Sequence, residues 1–370
     1  MEASINGYCE RLEKTTSECL HAGLKSLTFG VEIECITPLG NQSQDSLKQD
    51  VSLNLKEAGL GRVAEELGAA DETQKDFLLR TGTVTDGRVV EPRDAHLNTC
   101  WKVMDDATIK TSDASMIGVE IASPVFQFDL QSADKLVTIC KELRKRGAAT
   151  NDSTGLHVHI GQLPDFFSDD EVLRVYKAYL KYEPVLNRLL PPSRVWGGCA
   201  YKFCKDNRQK VKEVFKLDAD DDDASLFACI DKCYDAVGLH EQFCADRYVK
   251  LNVKNIVGGR RTIEFRQFPG EAANPVTICN WARLLGCFVT CARLATDVPP
   301  MPRNTTMAMR TQDFIENILD SDSRDEIGFK AWFLWRIHEM QELLQATSVT
   351  STVQRIKECS QSADCEQISE

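Results

Sequence analysis

Apolar and polar positions alternate with a period of two in four stretches of the chain, and the two faces this defines differ in kind. In SLTFGVEIECITP, Val31, Ile33 and Cys35 share one side while Glu32 and Glu34 share the other. In GVEIASPV, Val119 and Ile121 oppose Glu120; in TGLHVHIG, Leu156, Val158 and Ile160 oppose His157 and His159. In TIEFRQF, Ile263 and Phe265 oppose Thr262, Glu264 and Arg266. Each strand therefore has an apolar face suited to packing on helices and an opposite face carrying chemistry. TCWKVMDD adds strand content before the second of these.

Between the strands the period becomes helical. A polar helix is predicted over 4–22 and an interrupted helical stretch over 47–70. Residues 131–146 read as an amphipathic helix closed by Gly147, with a basic last turn that suits the helix dipole. Ser168 to Glu171 is a capping box opening a helix that stops at Pro191-Pro192. Asn274-Pro275 places a cap and a first-turn proline ahead of an apolar helix. Residues 193–245 hold two short helices and an acidic run that lacks the glycine and terminal glutamate of a calcium loop. A further helix is predicted near 325–345. Helices alternating with short strands predict an α+β fold, divided as an N-terminal helix (1–25), one catalytic-sized domain (26–345) and a polar tail (346–370).

Composition narrows the function classes. The 370 residues carry 44 Lys and Arg against 56 Asp and Glu, a formal charge of −12. That acid excess argues against a general binder of nucleic acid or anionic membrane, both of which need a basic surface. No apolar run approaches the roughly 18 to 20 residues of a membrane span, and the N-terminus has acids in place of a signal-peptide apolar core. The 15 cysteines are scattered and form no CxxC pair, so buried thiols in a reducing cytoplasm are expected.

Taken singly, the motifs have plain readings: Glu-x-Glu a solvated edge, His-x-His a structural pair, Glu-x-Arg a cross-strand ion pair. Together, four acids and two imidazoles of matching parity would repel unless cations lay among them. Glu32, Glu34, Glu120 and Glu264 are oxygen donors that suit Mg²⁺ or Mn²⁺ and a phosphate-bearing substrate, and His157 and His159 add imidazoles. A cupin would also show His-x-His, but the glutamate it needs a few residues on is replaced by Leu163-Pro164. If Gly258 to Arg260 form a three-residue turn, Lys254 faces Glu264 and Asn252 faces Arg266, joining the polar face.

FGVEIE, WKVMDDATI followed by GVEIASPV, TGLHVHIG and KLNV…TIEFRQF resemble, in that order, the motifs of the amidoligase family, over roughly residues 26 to 290. That family is related to glutamine synthetase and glutamate–cysteine ligase. The resemblance implies a curved, mainly antiparallel sheet whose concave face holds Mg²⁺ and ATP, with helices behind. It implies ATP activation of a carboxylate as an acyl phosphate, which an amine converts to an amide, on a small molecule or peptide. By the resemblance Glu32, Glu34, Glu120, His157 and Glu264 hold the ions, with His159 alongside as a further metal ligand or its support. Arg266 then meets the γ-phosphoryl oxygens, Asn252 and Lys254 help hold the nucleotide, and Arg194 clamps the acceptor carboxylate. Glu34, Glu264 and Arg266 form the catalytic set. Residues 193–245 become a substrate-side insertion, and PGEAAN after the last strand departs from the family's usual turn. Two other classes stay open: a metal hydrolase or oxygenase using the two histidines and one glutamate, and a binding protein on the same scaffold.

Overall fold

A 12-residue strand, β1 (Leu27–Pro38), is hydrogen-bonded on both sides and sets the frame. In the computed structural model the described residues are 24–38, 101–106, 108–218, 222–271, 274–319 and 329–345. The helix expected over 4–22, the helical stretch over 47–70 and the tail from 346 lie outside them. The other strands are β2 (Lys102–Asp105), β3 (Met116–Ala122), β4 (Phe126–Gln127), β5 (Gly155–Gln162), β6 (Leu251–Asn252) and β7 (Ile263–Pro269). They form one open sheet in the order β2-β3-β1-β5-β7-β6, with β4 on the start of β1, and every strand pair is antiparallel. With nine helices among the described residues, the fold is α+β.

Alternation does what the sequence implied. Val31, Ile33, Cys35, Val119, Ile121, Leu156, Val158, Ile160, Ile263 and Phe265 are all buried on one face. Removing each such side chain from water stabilises the fold by roughly 1.5–3 kcal/mol before entropy is counted. The helices packed there are α1 (Leu130–Lys145), α2 (Asp169–Leu186) and α7 (Pro275–Leu294). Between α2 and α7 in the chain come α3 (Asn207–Phe215), α4 (Asp223–Ile230), α5 (Ala236–Leu239) and α6 (Lys254–Val257). After α7 come α8 (Met307–Phe314) and α9 (329–345). Phe268 stacks on Trp281 of α7 at 4.6 Å between centroids, and Phe265 meets Phe288 edge-on at 6.2 Å. At Gly286 an added Cβ would lie 2.7 Å from the Phe128 ring, so α7 packs closely on Phe128, just past β4, only because that residue is glycine. By length and composition α7 could cross a bilayer, but 78% of that stretch is buried in the fold, as in a core helix.

The caps read from the sequence are present. Ser168 and Glu171 form the reciprocal box at the start of α2, and Asn274 accepts from Thr277 N at 3.2 Å at the start of α7. One register differs. The three-residue turn at Gly258 to Arg260 is not formed: β6 ends at Asn252, and the helical turn α6 intervenes, with Asn252 Oδ1 accepting from Lys254 N at 2.7 Å. Glu264 therefore faces Asn252, not Lys254, and Arg266 N donates to Lys250 O at 2.7 Å. The displacement is two residues, so the faces are kept while Lys254 leaves the sheet and is exposed. A second irregularity lies between β5 and β7: Leu156 faces Phe268 and Val158 faces Phe265, so Arg266 and Gln267 together stand against His157. That is a β-bulge, a feature that re-aims side chains beside sites.

Candidate active site

Three strand registers assemble the polar face. Glu34 faces Glu120 across β1–β3, Glu32 faces His157 across β1–β5, and His159 faces Glu264 across β5–β7. Side chains from four strands thus become neighbours although they span more than 230 residues of chain. His157 is the hub: its Nδ1 lies 2.9 Å from Glu32 Oε2 and 4.0 Å from Glu264 Oε1, and its Nε2 lies 3.3 Å from Glu34 Oε1. His159 Nε2 lies 3.1 Å from Glu32 Oε1, and its Nδ1 is 3.3 Å from both Thr262 Oγ1 and Asn255 Nδ2. Gly155 N donates to Glu34 Oε2 at 2.6 Å, and Arg266 Nη1 donates to Glu264 Oε1.

The electrostatics are those of a crowded acid cluster. Burial works against the charge on Glu32, yet His159 and His157 hold its carboxyl well below the usual carboxylate range. Burial pushes Glu34 up, His157 opposing and Asp106 adding to the rise. Glu120 goes well above the usual range, through burial and then the charges of Glu32, Glu34 and Asp106. Glu264 is also penalised by burial, but Arg266 beside it brings its carboxyl down.

Two sets of donors each place ligand atoms within 4.8 Å of one another: Glu32, His157 and Glu264, and Glu34, Glu120 and His157. Carboxylate oxygens with one imidazole suit a hard or borderline divalent cation. Arg266, only 9% exposed, has an Nε with no hydrogen-bond partner among the described residues. A buried guanidinium left with an unmet donor beside such a cluster fits a phosphate oxygen. The donor chemistry therefore fits both a divalent ion and a phosphoryl group.

Not every expected residue stands in the cluster. Arg194 is buried, but both terminal nitrogens are committed to the backbone: Nη2 donates to Thr154 O, and Nη1 to Arg266 O at 3.4 Å. It straps the start of β5 to β7. Asn252 shares the parity of Glu264, yet its amide donates to Arg247 O at 3.0 Å and accepts from Lys254 N. Lys254 sits on the exposed helical turn described above.

Asp106, to which the sequence reading gave no role, joins the site. The loop after β2 turns back over the polar face: Ile109 covers Gly118, where an added Cβ would lie 2.5 Å from Ile109 Cγ2. Asp106 Oδ1 accepts from Thr108 N and Thr108 Oγ1, each at 2.7 Å, and its charge acts on Glu34 and Glu120. The Asp-x-Thr turn was the available signal.

The antiparallel sheet thus carries helices on one face and a carboxylate–imidazole cluster on the other. Residues 25–287, more than half of the chain, match the model of a family described as "Putative amidoligase enzyme", and the chain belongs to that family. No curated protein matches it.

Proposed function

We propose that the protein is an ATP-dependent carboxylate–amine ligase, with a glutamine synthetase-like curved sheet and ATP and Mg²⁺ (or Mn²⁺) on its polar face. The observation that carries this reading is the meeting of Glu32, Glu34, Glu120, His157 and Glu264 around one imidazole, next to a buried Arg266 with an unmet N–H. In the reaction, a carboxylate oxygen attacks the γ-phosphorus, the bond to the β-phosphate oxygen breaks, and ADP leaves. The acyl phosphate is then attacked at carbon by the amine nitrogen, inorganic phosphate leaves, and the nitrogen gives up a proton.

The carboxylates and His157 would hold divalent cations, which when bound neutralise charge on the phosphates. His159 holds Glu32 in place. Arg266 donates to the γ-phosphoryl oxygens as charge spreads over them, a role worth on the order of 10³-fold or more in rate. Arg266→Lys would not replace it, because a point charge lacks the planar fork. A hydrolase or oxygenase built on His157, His159 and one glutamate would leave Glu34, Glu120 and Arg266 without work. The substrates are a small-molecule or peptide carboxylate and amine, in the cytoplasm.

The test is incubation of purified protein with ATP, Mg²⁺ and mixed amines and carboxylates, reading ADP and phosphate. Amine-dependent ADP release that disappears in Glu34→Ala and Arg266→Ala is expected. Metal-dependent turnover that ignores ATP, or nucleotide binding without any turnover, would overturn the reading.

A further inference from the structure

The chain has a formal charge of −12, yet the lip of the site at its His159 end is basic. Two segments form that lip: residues 163–166 just beyond β5, and residues 254–262 between β6 and β7. Thr262 Oγ1 and Asn255 Nδ2 each stand 3.3 Å from His159 Nδ1, and Arg260 is near enough for its charge to act on that imidazole. The second segment is therefore fastened to the cluster itself. Together the two segments hold three cations, Lys254, Arg260 and Arg261, and one acid, Asp165, all four exposed. Among the described residues none of these three cations has an ion pair or a side-chain hydrogen bond. Elsewhere on the surface Lys145, Lys205 and Arg303 are each paired with a carboxylate.

Arg261 is held in place. Its backbone is left-handed, φ 60°, a conformation costly for a residue with a side chain, and its N–H donates to Asn255 O at 2.7 Å. Its guanidinium lies over the Phe166 ring, 3.5 Å from the centroid, so one face of the fork is packed and its N–H edge is left for other acceptors. Leu163, Phe166 and Val257, each between 38% and 48% exposed, give the cations an apolar border. A preset guanidinium edge suits a carboxylate. Three cations spread along residues 254–261, outside the buried cluster, suit a ligand that carries several carboxylates and extends beyond the site.

We propose that Lys254, Arg260 and Arg261 dock an acidic segment of a polypeptide, and that this segment carries the carboxylate the enzyme activates. The docking stands on the unpaired cations of the lip in an otherwise acidic chain. The second clause rests on the ligase reading above and narrows its substrate to an acidic peptide.

The experiment follows, by fluorescence anisotropy on the full chain, a labelled peptide in which glutamate alternates with alanine, beside its glutamine counterpart. The acidic peptide is expected to bind about tenfold more tightly than the glutamine peptide and to weaken as salt is raised. Arg260→Glu with Arg261→Glu should weaken it about tenfold or more at an unchanged urea midpoint, two exposed contacts of a few-fold each having become repulsions. Lys254→Glu, which leaves the left-handed residue alone, should weaken it a few-fold and carries the test if the double variant is unstable. The inference is overturned if the glutamine peptide binds as tightly, or if neither variant shifts the acidic peptide by more than twofold. Displacement of the peptide by Mg-ATP overturns it by giving the cations to the nucleotide phosphates, and anionic vesicles that sediment the protein while the peptide stays free overturn it in favour of a membrane contact. A docked peptide left unmodified while small acids drive ADP release overturns the second clause. The two readings fail separately. ADP release with small acids and no peptide binding removes the docking and spares the ligase, whereas peptide binding that the Arg variants abolish, with no ATP turnover on any carboxylate, removes the ligase and spares the docking.

Discussion

Gly155 donates its backbone N–H to Glu34 Oε2 at 2.6 Å, and a side chain at that glycine would crowd the site: a Cβ would lie 3.0 Å from His157 Nε2 and 3.3 Å from both Arg194 Nη2 and Glu34 Oε2. The backbone of β5 thus orients a candidate ligand from beneath. Gly155→Ala pushes on three site residues at once without removing any. Mn²⁺ affinity is expected to fall about 10- to 100-fold, the usual scale for disturbing the support of a ligand, while stability falls by only about 1–2 kcal/mol. Titration calorimetry and urea denaturation read the two quantities. Unchanged Mn²⁺ affinity in a folded variant would show that Glu34 and His157 do not hold the ion.

Cation binding should release protons. Burial, with Asp106 among the opposing charges, raises Glu34, and burial with Glu32, Glu34 and Asp106 raises Glu120 well above the usual range. Raised carboxyls keep protons that an ordinary glutamate has already lost, and a divalent ion must displace them. Mn²⁺ affinity is therefore expected to keep climbing with pH above the usual carboxylate range, by up to about tenfold per pH unit for each proton displaced. Titration in two buffers of different ionisation enthalpy counts those protons. Glu120→Gln should flatten the slope, and a pH-independent affinity in wild type would contradict the assignment.

The family resemblance implies Arg194 as a clamp on the acceptor carboxylate, whereas in the fold its terminal nitrogens bond the carbonyls of Thr154 and Arg266. Arg194→Ala removes a donor from the carbonyls of Arg266 and Thr154, the latter still accepting from Gly270 N at 3.0 Å, which costs about 1–3 kcal/mol. Arg194→Lys, lacking the fork, should recover less than half of that. Chemical denaturation decides between a strap and a clamp. A clamp predicts a raised KM for one substrate at undiminished stability.

The residues that converge on His157 were legible because strand alternation assigns a face before any register is known. Antiparallel pairing then only has to bring like parities together, as it does for Glu34 with Glu120 and His159 with Glu264. What escaped depends on contacts distant in sequence. The bulge that sets Arg266 and Gln267 against His157 leaves no mark on the pattern of TIEFRQF. The helical turn at Lys254 begins from a cap by Asn252, a residue whose polarity equally suited the sheet face. Asp106 enters the site only because Ile109 finds space above Gly118. Helix α8 carries no clear apolar stripe and is held by Thr306 at its start and by Arg310 on the buried Asp223.

Away from the site, Glu271 offers a test of the fold's own electrostatics. Its carboxyl is pushed up to about 7 by burial; Arg336, with Nη2 3.9 Å from Oε1, offsets part of this, and Glu339 adds to it. In the unfolded chain an ordinary glutamate titrates near 4.3. Between roughly pH 4.5 and 7 the folded state therefore holds a proton that the unfolded state has released, and unfolding becomes easier as pH rises through that window. The stabilisation is full below pH 4.5 and gone above pH 7; with the side chain about one-fifth exposed, it amounts to about 2 kcal/mol. Glu271→Gln keeps the shape and removes the titration. The stability difference between variant and wild type, from urea melts at pH 4.5, 6.0 and 7.5, should shift in favour of the variant by about that amount as pH rises. A difference that stays level across the three pH values would mean that Glu271 is ionised throughout, with Arg336 outweighing its burial.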